Sequence, residues 1–306
     1  MSAKTAIPSS DGKHQPKLFR WQLTYRPPFD WAGMLRFLGA RMLKGVASVE
    51  GAEYLRTVRL GPCSGWFHVH NAPGQRALVI EFSRSLAPAV PSLLAGLHHL
   101  FDLDARPNVI AERLMRGVLA DTVARNPGLR VPGAFDGFEL AVRAILGQQI
   151  TVKAATTLAG RFVEAFGETV ETAHPGLTRL SPTAERIAVL KVEELTALGI
   201  MPTRAESIIA MGREMVSGRL KLEAGVHPEE AMKHLLALPG IGRWTAEYIA
   251  MRALRWPDAF PHGDIAVRNS LGGVTTTRAE EIAQAWRPWR SYATLHLWQE
   301  RARSRR

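Results

Sequence analysis

Cysteine is almost absent from this 306-residue chain: Cys63 stands alone, which excludes an intramolecular disulfide and any metal cluster held by several thiolates. Such cysteine poverty fits a reducing cytoplasm. Long apolar runs are missing as well. The mean hydropathy is −0.07, and no stretch approaches the roughly 20 apolar residues that span a bilayer, so no membrane partner is expected. Residues 1–16 lack the apolar centre of a secretory signal. None of the ten histidines forms a His-x-x-x-His pair, and no Gly-x-Ser-x-Gly occurs. The sequence therefore offers nothing for a zinc-hydrolase helix or a serine nucleophile elbow.

What is abundant is positive charge, 39 Lys and Arg against 28 Asp and Glu, for a net charge of +11. A basic balance favours polyanionic partners such as nucleic acid. More than half of the excess lies at the ends. Residues 1–20 carry Lys4, Lys13, Lys17 and Arg20 against Asp11, and residues 300–306 carry four arginines against Glu300. Charge in tails raises non-specific affinity and says nothing of chemistry.

The texture of the chain changes along its length. Residues 1–20 read as a disordered leader, mixed in Ser, Pro, Gly and Lys without periodicity. Asp30 is placed to cap a helix whose Trp31, Met34, Leu35 and Leu38 recur at helical spacing, reaching about Leu43. Alternating stretches at 54–60, 66–70 and 77–82 predict antiparallel strands, the last two joined by the turn Asn71-Ala72-Pro73-Gly74. A helix over 92–101 follows. Beyond residue 108 amphipathic helices repeat, at about 109–123, 136–146, 153–166, 184–189, 192–198, 203–217, 229–237, 243–254, 264–271, 278–285 and 290–303. The expected fold class is α+β: a small antiparallel-sheet domain over 21–107, then an all-α region over 108–303.

The stretch from Pro228 to Leu271 is the most informative. A helix ending at Ala237 breaks at Leu238-Pro239-Gly240-Ile241-Gly242, and another starts at once with Arg243-Trp244-Thr245. Glycines in such a hairpin leave backbone N–H groups open at a helix start, where the dipole favours an anion such as a phosphate. A dinucleotide fingerprint does not fit, since Thr245 stands where the third glycine belongs and a helix precedes the turn. A plain helix-to-helix turn remains the bland alternative. Twenty residues past Trp244, Asp264 sits at the mouth of another helix, where capping alone would explain it.

The hairpin Leu238 to Ala246 followed by Asp264 resembles the signature of the helix–hairpin–helix DNA glycosylase superfamily. Within it the chain is similar to the inducible bacterial 3-methyladenine DNA glycosylase II family. The landmarks are Pro27-Pro28-Phe29-Asp30-Trp31, Phe101-Asp102-Leu103, Gly128-Leu129-Arg130-Val131-Pro132-Gly133, Arg143-Ala144-Ile145-Leu146-Gly147-Gln148-Gln149 and Trp286-Arg287-Pro288-Trp289-Arg290-Ser291-Tyr292-Ala293, spanning most of 21–298.

The resemblance implies a monomeric enzyme that flips alkylated bases out of double-stranded DNA and hydrolyses their N-glycosidic bond in base excision repair. It implies that Asp264 stabilises the sugar cation, that Trp244, Tyr248, Trp298 and Phe37 line the base pocket, and that Leu238, Pro239, Gly240, Ile241, Gly242, Arg243 and Thr245 grip phosphate. The wedge that fills the vacated stack falls at Gln149, with Gln148 or Ile150 beside it; Gln is polar where the known relative carries an aliphatic wedge. Strand-cleaving relatives place a nucleophilic lysine where this chain has Trp244, so a monofunctional enzyme that leaves an abasic site is implied. No cofactor is required: the iron–sulfur cluster of another branch needs four cysteines. The resemblance also carries a Na⁺ or K⁺ site on the backbone carbonyls of Leu236, Leu238 and Ile241. Two alternatives stay open, a glycosylase for uracil or an oxidised base and a DNA-binding protein without turnover.

Overall fold

The computed structural model describes residues 18–303. Five strands, β1 (Phe19–Thr24), β2 (Ala47–Glu50), β3 (Glu53–Leu60), β4 (Cys63–Ala72) and β5 (Ala77–Phe82), form one antiparallel sheet in the order β1-β5-β4-β3-β2. Side chains alternate across a strand. Phe67 and Val69 of β4, with Leu78, Ile80 and Phe82 of β5, therefore share a core with the helices α1 (Trp31–Gly39) and α2 (Val90–Leu100). His68, His70 and Glu81 belong to the alternate positions, on the other face.

The remaining helices are α3 (Pro107–Leu114), α4 (Ala120–Arg125), α5 (Gly137–Leu146), α6 (Val152–Phe166), α7 (Ala184–Ala188), α8 (Val192–Thr196), α9 (Pro202–Val216), α10 (Pro228–Ala237), α11 (Arg243–Arg252), α12 (Ile265–Ser270), α13 (Thr276–Ala283) and α14 (Arg290–Arg303). They surround a second, larger core that includes Phe138, Leu146, Ile208, Ile249, Phe260 and Trp286. Each large apolar side chain buried this way is worth roughly 1.5–3 kcal/mol. The architecture is α+β as expected. No helix among the described residues is long and apolar enough to cross a membrane.

Asp30 caps α1 by accepting the Gly33 N–H at 2.7 Å, but that helix ends at Gly39 rather than near Leu43. The reason is tertiary: Leu43 and Val46 leave the sheet core and join the helical one. The expected helix over 109–123 is two, α3 and α4. Gly117 between them adopts a left-handed φ of 73°, which an α-helix does not contain. Strands β1 and β2 were not legible in the sequence. β1 begins at Phe19, inside the stretch read as a leader, because Phe19 stacks on Phe82 at 5.7 Å and the strand pairs with β5. Residues 1–17, the rest of that leader, lie outside the described residues.

Candidate active site

α10 and α11 meet at the hairpin 238–242, which is turned to solvent. Pro239, Gly240, Gly242 and Arg243 are exposed, while Ile241 is buried and anchors the turn in the helical core. Its two glycines serve different ends. Gly240 has φ 70°, and a Cβ there would lie 2.3 Å from the Ser207 hydroxyl oxygen. That hydroxyl is committed, donating to the carbonyls of Thr203 and Pro239. Gly242 has an ordinary φ of −84° and faces open space. Nothing in the fold demands glycine at 242. Its missing side chain leaves the start of α11 free for close approach of an anion.

Gln148 braces the hairpin from the side. Its Nε2 donates to the Gly240 carbonyl at 2.9 Å and to the Thr245 hydroxyl at 3.0 Å. Thr245 is buried, so its side chain fixes the hairpin rather than reaching solvent. Gln149, one residue on, is exposed in the turn between α5 and α6, with a left-handed φ of 56°. Ile150 is half-buried. Of the three wedge candidates, Gln148 is committed to the hairpin and only Gln149 is fully exposed.

Asp264 caps α12, as its position suggested: Oδ1 accepts the N–H groups of Ala266 at 2.8 Å and Val267 at 3.0 Å. The same carboxylate does more. The Trp244 indole N–H donates to Oδ2 at 2.8 Å, and the Trp298 indole N–H donates to Oδ1 at 3.2 Å. Four neutral donors thus hold the acid, and no cation pairs with it among the described residues. Other carboxylates of the fold differ: Glu139 pairs with Arg56, Asp258 with Arg290 and Arg287, Asp102 with Arg255. The loop that carries Asp264 is tied to α11 by Glu247, which is buried and accepts the Phe260 N–H at 3.0 Å. Burial raises the pKa of Glu247.

The two tryptophans that bond this carboxylate both neighbour the ring of Tyr248. Trp244 and Tyr248 stack at 5.4 Å with an interplanar angle of 15°, and Tyr248 lies 6.1 Å from Trp298. One helical turn of α11 separates Trp244 from Tyr248, while α14 brings Trp298 from 50 residues away in sequence. Phe37 is placed differently. Its ring carries the guanidinium groups of Arg41 at 3.8 Å and Arg252 at 4.8 Å, and among the described residues it makes no ring contact with the other three.

Sequence reading missed the arginines behind Tyr248. Arg252 donates to the Tyr248 hydroxyl at 2.8 Å and to the carbonyls of Pro132 and Gly133 at 2.6 and 2.9 Å. Burial alone would raise the tyrosine pKa, but Arg252, Arg41 and Arg143 outweigh it and bring it down to about 8. Arg143 is itself depressed to about 10 by burial, with Glu139 opposing. The i, i+4 spacing of Tyr248 and Arg252 was the available signal; Arg41 and Arg143 come from α1's end and α5, which only folding brings together.

Comparison with known proteins supplies the context. Residues 20–136 match the AlkA N-terminal domain family and residues 142–291 match the HhH-GPD superfamily base excision DNA repair protein family. The Escherichia coli (strain K12) DNA-3-methyladenine glycosylase 2 is 36% identical over 278 residues, covering 91% of this chain and 96% of the relative. A Mycobacterium tuberculosis probable bifunctional transcriptional activator/DNA repair enzyme AlkA is 40% identical over 284 residues, 90% of this chain but 56% of that longer protein. Among solved structures, the 3-methyladenine DNA glycosylase from Archaeoglobus fulgidus superposes with a TM-score of 0.79 at 25% identity, covering 92% of this chain and 98% of that one. The Clostridium acetobutylicum 8-oxoguanine glycosylase/lyase, solved with double-stranded DNA, gives 0.73 at 15% identity, covering 100% of this chain and 99% of that one, a likeness of fold alone.

Proposed function

The chain belongs to the HhH-GPD superfamily of base excision DNA repair proteins, in its DNA-3-methyladenine glycosylase family, and from that premise we propose how its residues work. It is a DNA glycosylase of base excision repair that removes alkylated bases from damaged DNA. We assign it a monofunctional reaction, carried out as a cytoplasmic monomer.

The hairpin 238–242 and the start of α11 grip phosphate through backbone amides, which positions the duplex without reading sequence. Flipping the base costs a few kcal/mol, and Gln149 enters the space it leaves. Its polar end suits hydrogen bonding to the unpaired opposite base. The extruded base, cationic when N-alkylated, lies against Trp244, Tyr248 and Trp298. Aromatic faces attract such a cation by about 0.5–2 kcal/mol. Phe37 acts one step back, by seating Arg252.

A cationic base departs with the electrons of the glycosidic bond and becomes neutral, so no general acid is needed. Positive charge grows instead at C1′, where water then adds. A carboxylate beside that carbon lowers the barrier electrostatically. The observation that carries the reading is how Asp264 is held: two indole N–H groups of the aromatic set and two backbone amides, all neutral, with no cation paired to it among the described residues. Trp244 touches this carboxylate at 2.8 Å, where a lysine would be needed for a Schiff base, and an indole cannot serve.

The carbonyls of Leu236, Leu238 and Ile241 are our candidate for a Na⁺ or K⁺ site. Those of Pro239 and Gly240 are taken by Ser207 and Gln148, and that of Leu238 accepts the Ile241 N–H at 3.3 Å and would share its second lone pair with the ion. When bound, it would hold the turn in its phosphate-gripping shape.

The test is product analysis on alkylated, uracil-containing and oxidised duplexes in parallel. Methylated purines should be released from alkylated DNA, leaving heat- or alkali-labile sites. Strand breaks formed without heat or alkali would overturn the monofunctional assignment, and duplex binding without release of any base would favour a binding module.

A further inference from the structure

On the sheet face opposite its own helices, β3 and β4 bring Glu53, His68 and His70 together. His68 and His70 are two residues apart on β4 and so project to one side, and the register sets Glu53 directly opposite His70. One donor atom from each of the three lies within 4.8 Å of the other two. Two imidazole nitrogens here, His68 Nε2 and His70 Nδ1, are buried without a hydrogen-bond partner. Burying a polar atom unsatisfied is costly, and such atoms call for an explanation.

Glu53 Oε2 stands 2.9 Å from His68 Nε2, yet out of line for a hydrogen bond. Close approach without a directed bond is the relation of two ligands to one cation. Tetrahedral ligands about 2.0–2.1 Å from zinc sit about 3.3 Å from one another. Two imidazoles and a carboxylate also match the ligand preference of zinc-class ions.

The surroundings are firm. The segment between α6 and α7 crosses this face, with the Thr178 and Arg179 N–H groups donating to the Gly45 carbonyl at 2.8 and 2.9 Å. Leu177 packs with Leu55 and Trp66. This segment sets the His174 ring 4.3 Å from that of Trp66 and 6.4 Å from that of His68, and His174 Nε2 is likewise buried and unpartnered. Glu81 stands on the far side of the His68 ring, 3.8 Å from its other nitrogen.

We propose that Glu53, His68 and His70 form a binding site for a zinc-class divalent cation, which cross-links β3 to β4 beneath the segment carrying His174. The site shares no residue with the one around Asp264, and its expected role is to stabilise the fold by mass action.

Untagged full-length protein, stripped with chelator, is titrated with zinc ion, and metal retained after desalting is measured together with the melting temperature. Wild type is expected to keep about one zinc per chain and to melt higher with zinc than without. The double variant His68→Ala/His70→Ala should lose both the retained zinc and the shift. Glu53→Gln, which keeps size and shape, should also lose retained zinc while its metal-free melting temperature stays near that of wild type. Equal retention by wild type and both variants would overturn the site, as would a wild type that keeps no zinc.

Discussion

Two charged regions lie along one face of α11, on which Trp244, Tyr248 and Arg252 follow one another at four-residue spacing, and they handle charge in opposite ways. In one, Asp264 is held by two indole N–H groups and two backbone amides, with no cation paired to it among the described residues. In the other, Arg252 spends its guanidinium on the Tyr248 hydroxyl and the carbonyls of Pro132 and Gly133, beside half-buried Arg41 and Arg143. Neutral donors position a carboxylate and leave its field directed at whatever approaches. Arginine saturated by carbonyls binds two parts of the chain together and offers little to a ligand. The first arrangement suits a reaction that builds positive charge; the second is a seam.

The sharpest way to break this contrast is Asp264→Asn. Asparagine still caps a helix well, so folding and DNA affinity should persist. Release of methylated purines should fall by on the order of 10²–10³, the scale of a lost preorganised electrostatic group. Comparable release by wild type and variant in a single-turnover assay would remove Asp264 from the chemistry.

Arg252→Met should show the reverse pattern on the seam side. It strands the carbonyls of Pro132 and Gly133 and the Tyr248 hydroxyl, a loss of about 2–4 kcal/mol in denaturant unfolding. Loss of release without loss of stability would mean that the seam is part of the site.

Smaller effects are expected from the two hairpin glycines. Gly240→Ala places a Cβ against the Ser207 hydroxyl in a left-handed backbone and should destabilise by about 1–3 kcal/mol. Gly242→Ala meets nothing; stability should hold while duplex affinity, read by fluorescence anisotropy, weakens.

The smallest effect is the pH dependence of Tyr248. Its pKa of about 8 lies below the ordinary value of 10, so the unfolded chain holds this proton more tightly than the folded one. Stability should therefore rise from pH 8 to 10 in wild type relative to Tyr248→Phe. Parallel unfolding curves over that range would show that the arginines do not act on the tyrosine hydroxyl.

Much of the fold was legible because it follows from local rules. Asp30 and Asp264 cap the helices that their positions announced, and strands β3, β4 and β5 show in the alternation of 54–60, 66–70 and 77–82. β1 and β2 were not legible, since short strands draw their stability from partners that sequence does not display. The helix expected across Gly117 failed for a local reason, the backbone φ of that residue. In the site, Trp244 and Tyr248 are one turn apart and could be paired from spacing. Phe37 could not be distinguished from a pocket wall until Arg41 and Arg252 were seen on its ring.

Sequence by itself determined the hairpin, the acid and the absence of a lysine at position 244, because each depends on residue type at a fixed local spacing. Tertiary structure alone decided that Asp264 is held by neutral donors with no cation paired to it among the described residues, and that Trp298 completes its hold. It also put Gln148 to bracing the hairpin while Gln149 stands exposed. Those outcomes depend on which groups from distant segments share one small volume, and a hydrogen bond of 3 Å is fixed only when packing has brought both partners there.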